Sequence, residues 1–266
     1  MGKDVIVACD FDSKEKVLDF LDLFEDVKPF VKIGMELFYS AGPEIVSEIK
    51  KRGHKIFLDL KLCDIPNTVR KSMAVLAGLG VDMCNVHAFG TKAMMEAAIE
   101  GLSQGTDKRP LLIAVTQLTS TSEERMQNDL LIDRKLEDVV MHYAKMSSES
   151  GLDGVVCSPL EAKLVKEKCG KDFLTVTPGI RFADGDVGDQ VRITTPEKAK
   201  EMFKVVNRCV SALHEAAGEL RNFKKPASLR ALVIKVNDIE TEADTVYTEA
   251  IYDLFGSNKA CSYPFG

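Results

Sequence analysis

The stretch FLDLKLCDIPNT, residues 57–68, sets acids and a lysine inside and just beyond an apolar run. Side chains alternate faces along a strand, so Asp59 and Lys61 point to the same side. Asp64 follows three positions later, and Lys32 sits in an earlier apolar run. Brought together, these four would form an alternating array of two carboxylates and two ammonium groups. A lysine flanked by carboxylates keeps its proton. Such an ammonium is a good acid for a carbanion forming beside it. A carboxylate held next to a substrate carboxylate disfavours the bound acid relative to a transition state losing CO₂, which is differential binding. The array therefore suits decarboxylation without a cofactor, followed by protonation. The competing reading is a surface ion-pair network, which contributes little. Charges seldom remain in an apolar strand without partners, and that favours a site.

The elements that would position these residues follow a strand–helix rhythm. Apolar, β-branched runs occur at 5–11, 30–38, 55–62, 81–88, 109–119, 152–159 and 172–181. Helix-like stretches lie between them, such as SKEKVLDFLDLF after its Ser cap and TVRKSMAVLAGLG ending at Gly80. This alternation predicts a parallel sheet with crossover helices. Its repetition predicts a (β/α)₈ barrel of the TIM type rather than an open sheet. No G-x-G-x-x-G follows the first strand, which argues against a dinucleotide site. In a barrel the chemistry belongs at the C-terminal ends of the strands. Polar residues fall there in every unit: Asp10, Lys32, Asp59 with Lys61, His87, Thr116 and Thr119, Ser158, and Thr177 with Arg181. After Pro196 the pattern changes. Phe203, Val206, Val210, Leu213, Ala217 and Leu220 recur at steps of three and four, as do Leu229, Leu232, Val236, Ile239, Ala243, Val246 and Ala250. That is the seam of a helical hairpin broken at KKPAS, residues 224–228. An eighth strand is due near 203–210, where the local sequence favours helix, so two levels of reading conflict there.

Bulk properties narrow the function classes. The 266 residues are 45% hydrophobic and 29% charged, with a net charge of −6. No basic stripe invites nucleic acid, and no 18-residue apolar run crosses a membrane. The N-terminus enters an apolar run directly, without the pattern of a signal peptide. Met1-Gly2 is followed by Ile6 where a myristoylation motif wants Ser or Thr. Seven scattered cysteines form no C-x-x-C pair, and four histidines show no ligand spacing. Metal and disulfide frameworks are not expected, and a reducing cytoplasm is.

The run Asp59-x-Lys61-x-x-Asp64-Ile65-Pro66-x-Thr68 resembles the signature of the orotidine 5′-phosphate decarboxylase family. VTQLTST (115–121), TPGIR (177–181), GDQVRITTP (188–196), Asp10 and the Lys32-x-Gly34 segment resemble the same family in the same order. A related sugar-phosphate decarboxylase family shares the Asp-x-Lys-x-x-Asp core, but Pro66-x-Thr68 favours the orotidylate enzymes. The resemblance runs from about residue 4 to about residue 200. It implies decarboxylation of orotidine 5′-phosphate to uridine 5′-phosphate in pyrimidine synthesis, with no metal or organic cofactor. It implies that Lys61 protonates C6, that Asp59 faces the substrate carboxylate, and that Lys32 and Asp10 hold the ribose hydroxyls. Asp64 and Thr68 would reach the neighbouring subunit's site in a homodimer. Thr119 and Pro178 would line the pyrimidine pocket. Arg181 and Gln190 would bind the phosphate under a lid of residues 182–190.

The C-terminal region departs from this pattern. The family's phosphate-gripping eighth strand carries Gly and Arg. The nearest run here is VVNRCV (205–210), with Asn207 in the glycine's place and Arg208 as the arginine. Further on, the tail weakly resembles a phosphate-uptake-regulator-like helical family, whose metal-binding pattern would fall on Glu240 and Asp244. Acids on the exposed face of a hairpin are ordinarily just solvated. The expected organisation is a decarboxylase-like barrel over 1–200, its last βα unit replaced by a helical hairpin over 201–266. The alternative is a catalytically impaired or chimeric barrel that carries a helical interaction module.

Overall fold

The computed structural model describes residues 5–24, 27–104 and 108–180. Seven strands run parallel in a single sheet: β1 (Ile6–Ala8), β2 (Phe30–Gly34), β3 (Ile56–Leu62), β4 (Met83–His87), β5 (Leu111–Val115), β6 (Gly154–Val156) and β7 (Leu174–Val176). Their order in the sheet is their order in the chain. Parallel neighbours need crossovers, and helices supply them: α1 (Lys14–Asp22), α2 (Met35–Ala41), α3 (Glu44–Lys51), α4 (Pro66–Gly78), α5 (Thr91–Leu102), α6 (Glu123–Asp129), α7 (Leu136–Glu149) and α8 (Ala162–Cys169). Two compact units are distinguished. The first comprises Met1–Leu118, Leu130–Cys157 and Leu164–Val176 and holds all seven strands. The second comprises Thr119–Asp129, Ser158–Lys163 and Thr177–Gly266.

Local sequence accounts for most of these elements. The Ser13 hydroxyl accepts the Lys16 N–H and caps α1, which buries Val17 and Leu21. Pro66 opens α4, where a missing N–H costs nothing and φ is already helical. In β5, Leu112, Ile113, Ala114 and Val115 are all buried, the unbroken apolar run expected of a strand covered on both faces. One expected strand is shorter than its apolar run. The segment 30–38 is strand only to Gly34 and then turns into α2, where Met35, Glu36 and Leu37 are good helix formers and Leu37 is buried.

The sheet curls around one core. Phe57, Met83 and Ile113 are buried together, and Ile6, Phe30, Leu111, Val156, Leu174 and Val176 pack against them. These side chains come from all seven strands. A flat seven-stranded sheet could not bring its two edge strands to a common cluster; a barrel-type sheet does so by filling its interior with side chains. Outside the sheet, α4 and α5 pack closely at Gly101. A Cβ there would collide with the Arg70 carbonyl oxygen, so only glycine allows this approach. The eighth strand expected near 203–210 and the hairpin expected over 201–266 lie outside the described residues.

The N-terminal end of the sheet is closed by a repeated device. Asp82, just before β4, accepts the Ile56 N–H at 2.8 Å and pairs with Lys50 at 2.8 Å. Asp153, just before β6, accepts the Leu112 N–H at 2.7 Å and receives Arg109 Nη2 at 3.1 Å. Each carboxylate thus satisfies one backbone donor and one base.

Candidate active site

Lys61 stands out at the opposite, C-terminal end of the sheet, because its φ is +52°. A non-glycine residue in the left-handed region costs about 1–2 kcal/mol. The cause is a break in strand pairing. Leu58 pairs with Cys84 and Leu62 with Val86, so Asp59, Leu60 and Lys61 on β3 face the single residue Asn85 on β4. The Asn85 side chain fills the break. Its Oδ1 accepts the Lys61 backbone N–H at 2.7 Å, and its Nδ2 donates to Asp59 Oδ1 at 2.6 Å. A hydrogen bond to a charged group contributes about 1.5–3 kcal/mol, enough to offset the backbone strain.

The charges form a chain across three strands. Lys61 Nζ lies 2.8 Å from Asp59 Oδ1. Lys32 Nζ lies 3.5 Å from Asp59 Oδ2 and 2.9 Å from Asp10 Oδ1. The order is Asp10, Lys32, Asp59, Lys61. Asp59 is the hub and is only 8% exposed. This excludes the reading as a solvated ion-pair network, because a carboxylate at that depth is held by its partners rather than by water. Asp10 is the open end of the chain, with 65% of its side chain exposed. Gly34 leaves room beside it: a Cβ there would lie 3.7 Å from both Asp10 Oδ1 and Lys32 Nζ.

Neighbouring groups set the local electrostatics. His87, at the end of β4, has its pKa lowered by burial and then by the Lys61 ammonium. Its ring lies against Phe89, with centroids 4.7 Å apart and the planes tilted by 38°. Burial, helped by Asp10, pushes the Cys9 thiol up to about 11, which leaves it unreactive.

The other expected residues are placed as follows. Asp64 is exposed and accepts the Ile65 N–H at 2.6 Å, so within one chain Asp10 rather than Asp64 completes the array of charges. Thr68 is exposed in the first turn of α4. Thr116 is buried and donates its hydroxyl to the Val156 carbonyl at 2.9 Å. Within the second unit, Thr119 is buried and Pro178 partly exposed, while buried Ser158 donates its backbone N–H to Glu161 Oε2 at 2.8 Å. Arg181, Gln190 and Arg208, the lid of residues 182–190, and Glu240 with Asp244 lie outside the described residues. Sequence reasoning passed over Asn85. A lone amide in VDMCNVHA looks like any satisfied core polar group, and its only signal was its place among apolar residues beside the expected site. Among the described residues no group of three or more His, Cys, Asp or Glu side chains is gathered for a metal ion, and no helix is long and apolar enough to cross a membrane.

Chemically, this is a buried carboxylate between two ammonium groups, one of them on a backbone fixed by a neighbouring strand. It can hold an acid proton at a defined point and set a negative charge against an anionic group of a ligand.

Comparison with known proteins bears on what that ligand is. The family model described as orotidine 5′-phosphate decarboxylase / HUMPS family matches residues 3–221. The match thus extends beyond the expected boundary at residue 200. The orotidine 5′-phosphate decarboxylases of Bacillus cytotoxicus and Bacillus mycoides are each 56% identical over 217 residues, covering 79% of this chain and 91% of theirs. The crystal structure of the Lactobacillus acidophilus orotidine 5′-phosphate decarboxylase is 44% identical, with a TM-score of 0.67 over 75% of this chain and 86% of that one. The Methanocaldococcus jannaschii orotidine 5′-monophosphate decarboxylase, solved with the inhibitor BMP, is 22% identical. Its TM-score of 0.57, over 73% of this chain and 86% of that one, supports the fold.

Proposed function

The chain belongs to the orotidine 5′-phosphate decarboxylase / HUMPS family and is a carboxy-lyase that turns orotidine 5′-phosphate into uridine 5′-phosphate in pyrimidine synthesis; from that premise we propose that Lys61 is its proton donor and Asp59 its electrostatic lever. The observation that carries this reading is the pairing of buried Asp59 with the Lys61 ammonium at 2.8 Å. Substrate binding places the pyrimidine carboxylate against Asp59. The C–C bond to the carboxylate breaks, CO₂ leaves, and the electron pair stays on C6. Lys61 Nζ gives that carbon its proton and later regains one from water. The Asp59 charge opposes the substrate carboxylate but not the departing neutral CO₂, so the interaction favours the transition state. A positioned general acid contributes about 10²–10⁴-fold in rate.

The remaining roles rest on the family resemblance. Lys32 and Asp10, held 2.9 Å apart, take the ribose hydroxyls. Thr119 and Pro178 are assigned to the pyrimidine, and Arg181, Gln190 and Arg208 to the phosphate. Asp64 and Thr68, both exposed on one chain, are assigned to the site of a second subunit. The working enzyme is then a homodimer.

The test is ultraviolet detection of orotidine 5′-phosphate turnover by the full chain and by Lys61→Ala. Turnover by the parent that vanishes in the variant is the expected result. Near-normal turnover by Lys61→Ala would remove Lys61 from its role.

A further inference from the structure

We propose that Asn85 is a positioning residue for the decarboxylation: its carboxamide fixes the Asp59 carboxylate and the Lys61 backbone relative to each other, and the rate depends on that clamp. The inference rests on the roles given above to Asp59 and Lys61. It goes further in locating what aims them on a residue of another strand that need not touch substrate.

Four observations converge on Asn85. It is 1% exposed, so its polar atoms must find partners inside the protein. Both partners are members of the charge chain: it accepts from the Lys61 N–H at 2.7 Å and donates to Asp59 Oδ1 at 2.6 Å. It is the one residue opposite three on β3, and its side chain rather than a strand-pairing carbonyl takes the Lys61 N–H. The residue it holds is in the left-handed region at φ +52°, a conformation that persists only when its surroundings enforce it.

The chemistry fits an amide and little else of that size. The site needs an acceptor for a backbone N–H and a donor to a carboxylate on one short side chain, and a carboxamide offers both. Asp59 Oδ1 also receives the Lys61 ammonium, so the Asn85 Nδ2–H occupies a second lone pair of the same oxygen. This leaves Oδ2 as the atom turned toward Lys32 Nζ at 3.5 Å. The amide therefore decides which carboxylate oxygen serves which lysine. Misplacement of a reacting group by about 1 Å can cost about 100-fold in rate.

Asn85→Ala, Asn85→Asp and Lys61→Ala, each in the full chain, test the proposal through kcat, KM and their pH dependence. Asn85→Ala is expected to lower kcat by about 10- to 100-fold while KM changes much less, since the side chain is not assigned to substrate. Asn85→Asp is nearly isosteric and keeps the acceptor. Its carboxyl can replace the lost donor only when protonated, beside Asp59 and within a cluster that also holds Lys61, Lys32, Asp10 and His87. Its kcat relative to the parent should therefore rise as pH falls. A folded Asn85→Ala with kcat within about twofold of the parent, or an Asn85→Asp profile parallel to the parent's, overturns the clamp. If Asn85→Ala does not fold, the Asn85→Asp profile decides. Lys61→Ala separates the two layers. If it retains turnover, the proton-donor reading falls; if it is inactive while the Asn85 variants run at the parental rate, only the positioning inference falls.

Discussion

The two ends of the sheet use the same residue types to opposite purposes. At the N-terminal end, Asp82 and Asp153 each meet one base and one backbone N–H, in a pattern that repeats two strands further on. At the C-terminal end, Asp59 is shared between two lysines and an amide, and Lys61 sits on a backbone held out of its preferred region. The first arrangement satisfies local demands and fixes strand ends. The second concentrates unlike charges around one buried oxygen pair and stores strain. Stability and chemistry are thus separated along the strand direction, as barrel folds allow.

That separation is broken most sharply by Lys61→Gly. Lys61→Ala and Lys61→Gly both take an ammonium from buried Asp59, but only glycine accepts the left-handed φ, so Lys61→Gly should lose turnover by at least about 100-fold while being about 1 kcal/mol more stable than Lys61→Ala. Urea melts and the ultraviolet assay on one preparation read both. A glycine variant no more stable than the alanine one would show that the Lys61 backbone is not held against strain. Asp153→Ala is the mirror experiment. It strands the Leu112 N–H and the Arg109 guanidinium and should cost about 1–3 kcal/mol, with kcat per folded molecule unchanged. A large fall in kcat would mean that the two ends are coupled through the strands.

Gly101→Ala addresses a third place, neither end of the sheet. It forces the α5 backbone away from the Arg70 carbonyl, and overpacking of this kind costs about 1–3 kcal/mol. Thermal melting measures it. The smallest effect concerns pH. The His87 pKa is lowered in the folded chain, so the unfolded chain binds the proton more readily. Its contribution to stability is complete above the unfolded value of about 6.5 and is lost as pH falls from there through the lower folded value. His87→Gln should flatten this part of the stability–pH curve. An unchanged curve would remove His87 as its source.

Much of this architecture was legible in the sequence because its signals are local. Apolar runs marked each of the seven described strands, and Ser13 marked a helix start. Asp59 and Lys61 stood out because charge inside an apolar strand demands partners. Two features were not legible. The segment 30–38 carried one apolar pattern across a strand and a helix, and periodicity alone does not place such a junction. The three-against-one break opposite Asn85 belongs to the pairing of two strands and not to either sequence, so neither the bulge nor the amide that fills it announced itself.

The agreement between strand order and chain order has a consequence for biosynthesis. Each strand pairs with the one made just before it. A ribosome adding about 5–20 residues per second spends about one to five seconds on the stretch from Ile56 to Met83. A loop of about ten residues closes in about 10–100 ns, at least about ten-millionfold faster. Each new strand therefore emerges beside a partner that has already left the ribosome. The sheet can lengthen one strand at a time, with a single growing edge exposed to the cell while translation continues.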